Sequence, residues 1–256
     1  MRNSKLNPIK RLLHAVPRGT PLDVAALAQH GVDAKAASFY VRSGWLVRVG
    51  HGVYALPGDE VTSLSAVRLL QSHIAGLHIG GKSALSLQGV RHNLAVRESL
   101  VLWADARFAL PKWFGARFPA RGAFATLLDH AEPAFANLAR SSMTLTTPPG
   151  VLEGVNVSCP ERAALEMLYD VGVHESLDEA RSVFEGLRNL RPDVVGALLS
   201  ACTSIKAVRL FLKWSRETGV FDVEALRTRF NLRVGSQSRW LNRLPDGTLL
   251  ILKPYG

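Results

Sequence analysis

The sequence predicts an α+β protein, with an N-terminal winged helix-turn-helix followed by a larger mixed α/β domain. Three observations carry the expectation. The first sixty residues read helix, helix, short turn, helix, hairpin. From residue 61 strand-like runs alternate with helical ones and then give way to helices. The excess positive charge is also concentrated at the start. Residues 1–56 hold eight Lys/Arg against two acids, a net of +6 out of +10 for all 256 residues.

Pro8 opens a short helix carrying Ile9, Leu12, Leu13 and Val16, which ends near Pro17-Arg18-Gly19. Thr20-Pro21 has the form of an N-cap followed by Pro at the first helical position. That second helix carries Leu22, Ala25, Ala26 and Leu27 to His30, and Gly31 supplies its C-terminal turn. Asp33 caps a third helix, AKAASFYVRS, which Gly44 ends. Trp45–Val49 and Gly52–Leu56 then read as two strands joined at Gly50-His51. Pro57-Gly58-Asp59-Glu60 marks a change of composition, which divides the chain into 1–58 and 61–256.

The third helix carries the chemistry. Ala37, Tyr40, Val41 and then Trp45 fall on an apolar side, while Lys35, Ser38, Phe39 and Arg42 lie at i, i+3, i+4 and i+7 opposite them. Two cations, a hydroxyl and an aromatic suit a major groove, where Arg pairs with guanine edges and Phe touches a thymine methyl. Arg48 and His51 fall on the wing, within reach of phosphates. The alternative is a winged helix that binds protein, with Phe39 in its core.

Beyond residue 61, strands are expected at 77–79, 99–104, 142–147 and 151–158. Four helices follow through 160–230, then a hairpin over Trp240–Leu252 around Pro245-Asp246-Gly247. Within this region GLHIGGKS (76–83) matches G-x-x-x-x-G-K-[ST], a loop whose backbone N–H groups, Lys and hydroxyl hold phosphate and Mg²⁺. That chemistry needs a strand entering the first Gly. Instead LSAVRLLQSHIA is helical in period, and the strand Leu77-His78-Ile79 falls inside the loop. Asp105, at the end of VLWAD, follows too soon to serve as the Mg²⁺ carboxylate. Lys82 and Ser83 read as a solvated turn residue and a helix cap.

Ser158-Cys159-Pro160-Glu161 reads as a capping box. Its helix carries Ala164, Leu165, Leu168 and Tyr169 inward and an Arg162/Glu166 pair outside. Glu161 has no base, metal or nucleophile beside it in sequence. Thr203 to Lys206 mimics S-x-x-K without its companion motifs, and the eight histidines lack metal-ligand spacing. No catalytic residue, metal or cofactor is therefore expected. On SIKAVRLFLKWSRE, Lys206, Arg209, Lys213 and Arg216 form a basic stripe opposite Ile205, Val208, Phe211 and Leu212. It reads either as a solvated face or as a surface for nucleic acid or an acidic partner.

SGWLVRVGHGVYALPGD (43–59) resembles the N-terminal domain of AbiEi-type antitoxins, the DNA-binding members of AbiE toxin–antitoxin operons. HIGGKSALSLQGVRH, LPKW, VSCPERAALEML, GLRNLRP and ACTSIKAVRLFL resemble the body of that family in the same order, so the likeness covers roughly residues 6–220. The last twenty-five or so residues depart from the family's basic, glycine-rich tail. The resemblance implies a repressor of its own operon acting through the winged helix. It also implies a larger domain that neutralises a nucleotidyltransferase toxin in abortive infection, without an obligatory stable complex. The toxin's own G-S and D-x-D signature is absent. Two other readings are an enzyme acting on nucleic acid or nucleotide, with the winged helix as targeting module, and a transcription factor that senses a ligand. Two cysteines in separate segments (Cys159, Cys202), no apolar run of membrane length and no signal-like N-terminus fit a cytoplasmic protein.

Overall fold

The first helices form where a short polar side chain can cap them, and the computed structural model describes residues 7–91, 99–124, 126–140, 143–244 and 247–254. Asn7 caps α1 (Pro8–Ala15), Asp23 caps α2 (Val24–Gln29) and Asp33 caps α3 (Ala34–Arg42). Ahead of α2 lies a two-residue strand, β1 (Leu22–Asp23), then after α3 come β2 (Val47–Gly50) and β3 (Val53–Ala55). The three make an antiparallel sheet in the order β1-β3-β2. Three helices and such a sheet make a winged helix-turn-helix. Ile9, Leu12, Leu27, Ala37, Leu46 and Tyr54 are among its core residues.

Three local expectations change. The second helix starts at Val24 rather than Pro21, because Leu22 is drawn into the sheet opposite Tyr54. The hairpin turns at His51-Gly52, where Gly52 has φ +68°, while Gly50 remains in β2. The Pro57–Glu60 segment is a turn held to residues 18–19. Arg18 donates to the Pro57 carbonyl at 2.8 Å and the Gly19 N–H donates to the Asp59 carboxylate at 2.9 Å.

Packing divides the chain elsewhere than at 58–61. One unit runs to Ala75 and takes in Ala109–Pro119; the other comprises Gly76–Phe108 and Ala120 onward. The first unit therefore also holds α4 (Ser63–Gln71), entered through a Thr62/Ser65 capping box. The reason is visible in β3, whose three residues are all buried. Tyr54 faces the helical core, whereas Val53, Ala55 and Val49 form a second cluster covered by Val61, Leu69 and Trp113.

The second unit is built on a five-stranded mixed sheet. Its first elements are β4 (His78–Ile79), α5 (Gly81–Leu87) and β5 (Leu100–Ala104). A short helix of the first unit, α6 (Lys112–Gly115), interrupts the chain before β6 (Ala120–Phe124). Then follow α7 (Pro133–Arg140), β7 (Leu145–Thr146), β8 (Val157–Ser158) and α8 (Pro160–Asp170). The strand order is β6-β5-β4-β8-β7, with β5–β6 and β4–β8 parallel and the other pairs antiparallel. Five helices rather than four lie between 160 and 230, because α9 (Leu177–Glu185), α10 (Pro192–Ala201), α11 (Ile205–Thr218) and α12 (Val223–Arg229) follow α8. The chain closes on an antiparallel hairpin, β9 (Trp240–Arg243) and β10 (Leu249–Leu252). Pro245-Asp246, expected at its turn, lie outside the described residues. On α11, Val208, Leu210, Phe211, Leu212 and Trp214 are buried, and Phe184 packs edge-on to Phe211 and Trp214. No helix among the described residues is long and apolar enough to cross a membrane.

Candidate nucleic-acid interface

α3 presents Lys35, Phe39 and Arg42 outward, one above another at helical spacing. Phe39 is 56% exposed, so it is not a core residue. Ser38 is half-buried, with its hydroxyl donating to the Ala34 carbonyl one turn back at 2.9 Å. On the hairpin Arg48 is exposed, its guanidinium 5.8 Å from the centre of the Tyr54 ring, and His51 sits exposed at the tip.

Among the described residues, no acid pairs with the cations of this face. Asp23 and Asp33 are the two acids of residues 1–56, and both accept hydrogen bonds at helix N-termini. Neither Lys35 nor Arg42 has an ion pair or hydrogen bond with any described residue. Sequence periodicity missed the apolar part of the surface. Trp45, expected inside, is 50% exposed and Val47 48%, while Leu46 fills the core. Gly44, at φ +76°, ends the helix and resets the direction of the chain, so the 3.6-residue period stops applying there. That glycine was the available signal.

The Gly-Gly-Lys-Ser segment has a different occupant from phosphate. As expected, the strand β4 lies inside the six-residue loop pattern. The N–H of Gly81, at the start of α5, donates to Oε2 of Glu166 at 2.9 Å. The same oxygen accepts from the Ser158 hydroxyl at 2.8 Å, while Oε1 accepts from Arg162 Nε at 2.8 Å and lies 3.0 Å from His78 Nε2. A Cβ on Gly80 would fall 2.3 Å from the Glu166 carboxylate, so glycine is required for that close approach. Burial alone would raise the Glu166 pKa. The charges of His78 and Arg162 and the hydrogen bonds outweigh it and hold the carboxyl at about 2. The cradle thus contains an anion belonging to the chain itself.

This arrangement corrects several readings. Glu166 is paired with Arg162 but is 1% exposed, not on an outer face. Ser158 belongs to β8 rather than capping α8, whose N-cap is Cys159. Glu161 pairs with Arg191 at 2.9 Å and accepts from its backbone N–H at 2.8 Å. Lys82 is not a freely solvated turn residue, since its Nζ lies 3.1 Å from both Glu175 and Glu179. Ser83 is buried within α5 and accepts from the Val101 N–H at 3.0 Å. Calorimetry with Mg-ATP or Mg-GTP is therefore expected to give no Mg²⁺-dependent isotherm. Lys82→Ala is expected to cost only about 0.5–1 kcal/mol of stability. A micromolar isotherm lost in that variant would restore the phosphate reading.

Thr203 and Lys206 do not meet. The hydroxyl donates to the Thr126 carbonyl, and the ammonium donates to those of Tyr169 and Val171 at 2.6 and 2.7 Å. Cys159 and Cys202 are buried thiols, each pushed up to about 12 by burial. Among the described residues no three His, Cys, Asp or Glu side chains are grouped as a metal would require. The basic stripe of α11 also breaks up. Lys206 caps the end of α8, and Arg209 is 2% exposed, its guanidinium turned onto backbone carbonyls. Lys213 and Arg216 stay at the surface, beside Glu217 and Glu224 respectively.

Comparison with known proteins agrees with this architecture. No curated protein sequence matches the chain. Among solved structures, the RV2827C protein from Mycobacterium tuberculosis shares the fold, with a TM-score of 0.54 at 16% identity over 91% of this chain and 87% of that one. Residues 4–96 match the model of the AbiEi antitoxin N-terminal domain of transcriptional regulators, and residues 97–251 match that of the transcriptional regulator and AbiEi antitoxin of type IV toxin–antitoxin systems. With both halves matched in order, the chain belongs to the AbiEi family of antitoxin transcriptional regulators.

Proposed function

We propose that this protein represses its own operon by placing α3 in the major groove of operator DNA, with Arg48 and His51 of the wing on flanking phosphates. In this reading the larger unit opposes a nucleotidyltransferase toxin in the cytoplasm without an obligatory stable complex, and the chain performs no catalysis of its own. The observation that supports it best is the exposed, uncompensated Lys35/Phe39/Arg42 face, whose neighbouring acids are both used as helix caps. The ion-paired Lys82 and the internally filled Gly81 amide argue against the nucleotide-enzyme alternative.

Promoter DNA binding is the test. Several phosphate contacts, each adding about −0.9 to the log–log salt slope, predict a slope of about −4 or steeper. A flat salt response would remove the proposal. Arg42→Ala is expected to cost about 1–3 kcal/mol on operator DNA and to relax preference at one position, whereas Arg48→Ala should weaken all sequences alike. Equal losses on operator and random DNA for both variants would show that α3 does not read bases. Co-expression with the neighbouring gene, scored by growth, tests the antitoxin half.

A further inference from the structure

The surviving part of the basic stripe borders a cleft of about 330 Å³ between α11 and β10. Its floor is Arg209. That guanidinium donates to the carbonyls of Val234 (2.8 Å), Ser236 (2.5 Å), Ser238 (2.9 Å) and, at the limit, Leu252 (3.5 Å). All four acceptors are neutral, and no carboxylate among the described residues pairs with it. A buried cation met only by carbonyl dipoles retains its formal charge, and that charge is weakly screened by solvent. Around it stand Lys213, Arg216 and Lys253, so among the described residues the lining holds four cations against one carboxylate, Glu217. Glu217 is already engaged by Arg181 at 2.7 Å and Lys213 at 3.6 Å. Lys253 is exposed and has no ion pair with a described residue.

The walls are apolar. Ile251 is 44% exposed on the strand, and Pro254, beyond the strand's end, also lines the cleft. From these observations we propose that the cleft docks a segment of a partner protein carrying acidic side chains beside apolar ones. The acids would face Lys213, Lys253 and the charge of Arg209, while the apolar side chains would cover Ile251 and Pro254. A nucleic-acid backbone suits the site less well. Its evenly spaced charges would be driven against Glu217 in the lining and would leave the apolar wall wet. The proposal rests on reading the larger unit as the partner-facing half, and it gives that partner a chemistry.

Fluorescence anisotropy of the full chain with a short labelled peptide alternating Glu/Asp with Leu/Val tests it. Two comparison probes are a peptide with Ser in place of every Leu/Val and a single-stranded oligothymidine of equal charge. The acidic-apolar peptide is expected to bind, and Lys253→Glu to weaken it about tenfold, as expected for reversing a charge against acidic side chains. Arg42→Glu should leave peptide binding unchanged, and Lys253→Glu should leave promoter binding unchanged. The proposal is overturned if the peptide does not bind, or if the Ser probe or the oligothymidine binds as tightly. Equal weakening by Arg42→Glu and Lys253→Glu, which would mark general charge attraction, overturns it too. Growth on co-expression with the neighbouring gene reports separately on the antitoxin reading, so the two can fail independently.

Discussion

Glu166→Ala is expected to lower folding stability by about 3–5 kcal/mol, the range for removing one partner of a buried charge network. The carboxylate serves the Gly81 amide, the Ser158 hydroxyl, Arg162 and His78 at once. Without it, a nearly buried guanidinium, a buried imidazole and a helix-terminal N–H all lose their acceptor, and each buried group left unsatisfied adds its own desolvation cost. For a chain of this size the change corresponds to a melting temperature on the order of 10 °C lower. The effect should depend on pH in a defined direction. The folded carboxyl is held at about 2, below its ordinary 4.5, so its contribution is fully present above about pH 4.5 and is lost as pH falls from there toward 2. Melts at neutral pH and near pH 3 should therefore show the gap between native chain and variant narrowing at the lower pH. A variant melting like the native chain at neutral pH would mean that the network contributes little.

The second large effect is expected from truncation. A chain ended at residue 58 contains every element of the winged helix-turn-helix, yet it should fail to fold stably. Without Val61, Leu69 and Trp113, the side of the hairpin made by Val49, Val53 and Ala55 lies open to water. A domain of roughly 60 residues buries only about 60% of the surface of its unfolded chain and has little margin for such a loss. Gly50 records how closely the missing part fits, because a Cβ there would fall 2.2 Å from that of Trp113. Amide resonances of the fragment should be poorly dispersed, and operator affinity should be lost with the fold. A well-dispersed spectrum with the salt-dependent binding of the whole chain would refute this.

How much of this was legible in the sequence depended on the range of the interactions involved. Asp33 and Gly44 delimit α3 through hydrogen bonds and φ values within a few residues, so that helix and its Lys35/Phe39/Arg42 face could be read directly. β1 could not, since two residues become a strand only by pairing with Val53 and Tyr54 some thirty positions away. β6 reads ARGAF, with a charge and a glycine where alternation would be expected, and its identity comes from the register with β5. Glu166 and Arg209 share one cause of error. Periodicity places a charged residue outside unless some other group can satisfy it. Here His78 and Gly81, which serve Glu166, and the Val234 carbonyl, which serves Arg209, lie 25 to 88 positions distant.

The excursion at residues 109–119 bears on the order in which the molecule can be built. Ribosomal synthesis releases α3 and the hairpin first, then α4, then β4, α5 and β5, and only afterwards the short helix bearing Trp113. Domains ordinarily fold as contiguous blocks from the N-terminus. Here Val61 and Leu69 can cover the wing's second apolar side early, but the cover stays incomplete until Trp113 follows β5, and β6 in turn follows the excursion before it can join β5. Nascent chains arrested between residues 75 and 109 would thus carry an incomplete winged helix. For the same reason the winged-helix half cannot be exchanged between relatives as a contiguous cassette cut at a single point. A working chimera must exchange the segment up to Ala75 and the Ala109–Pro119 strap together.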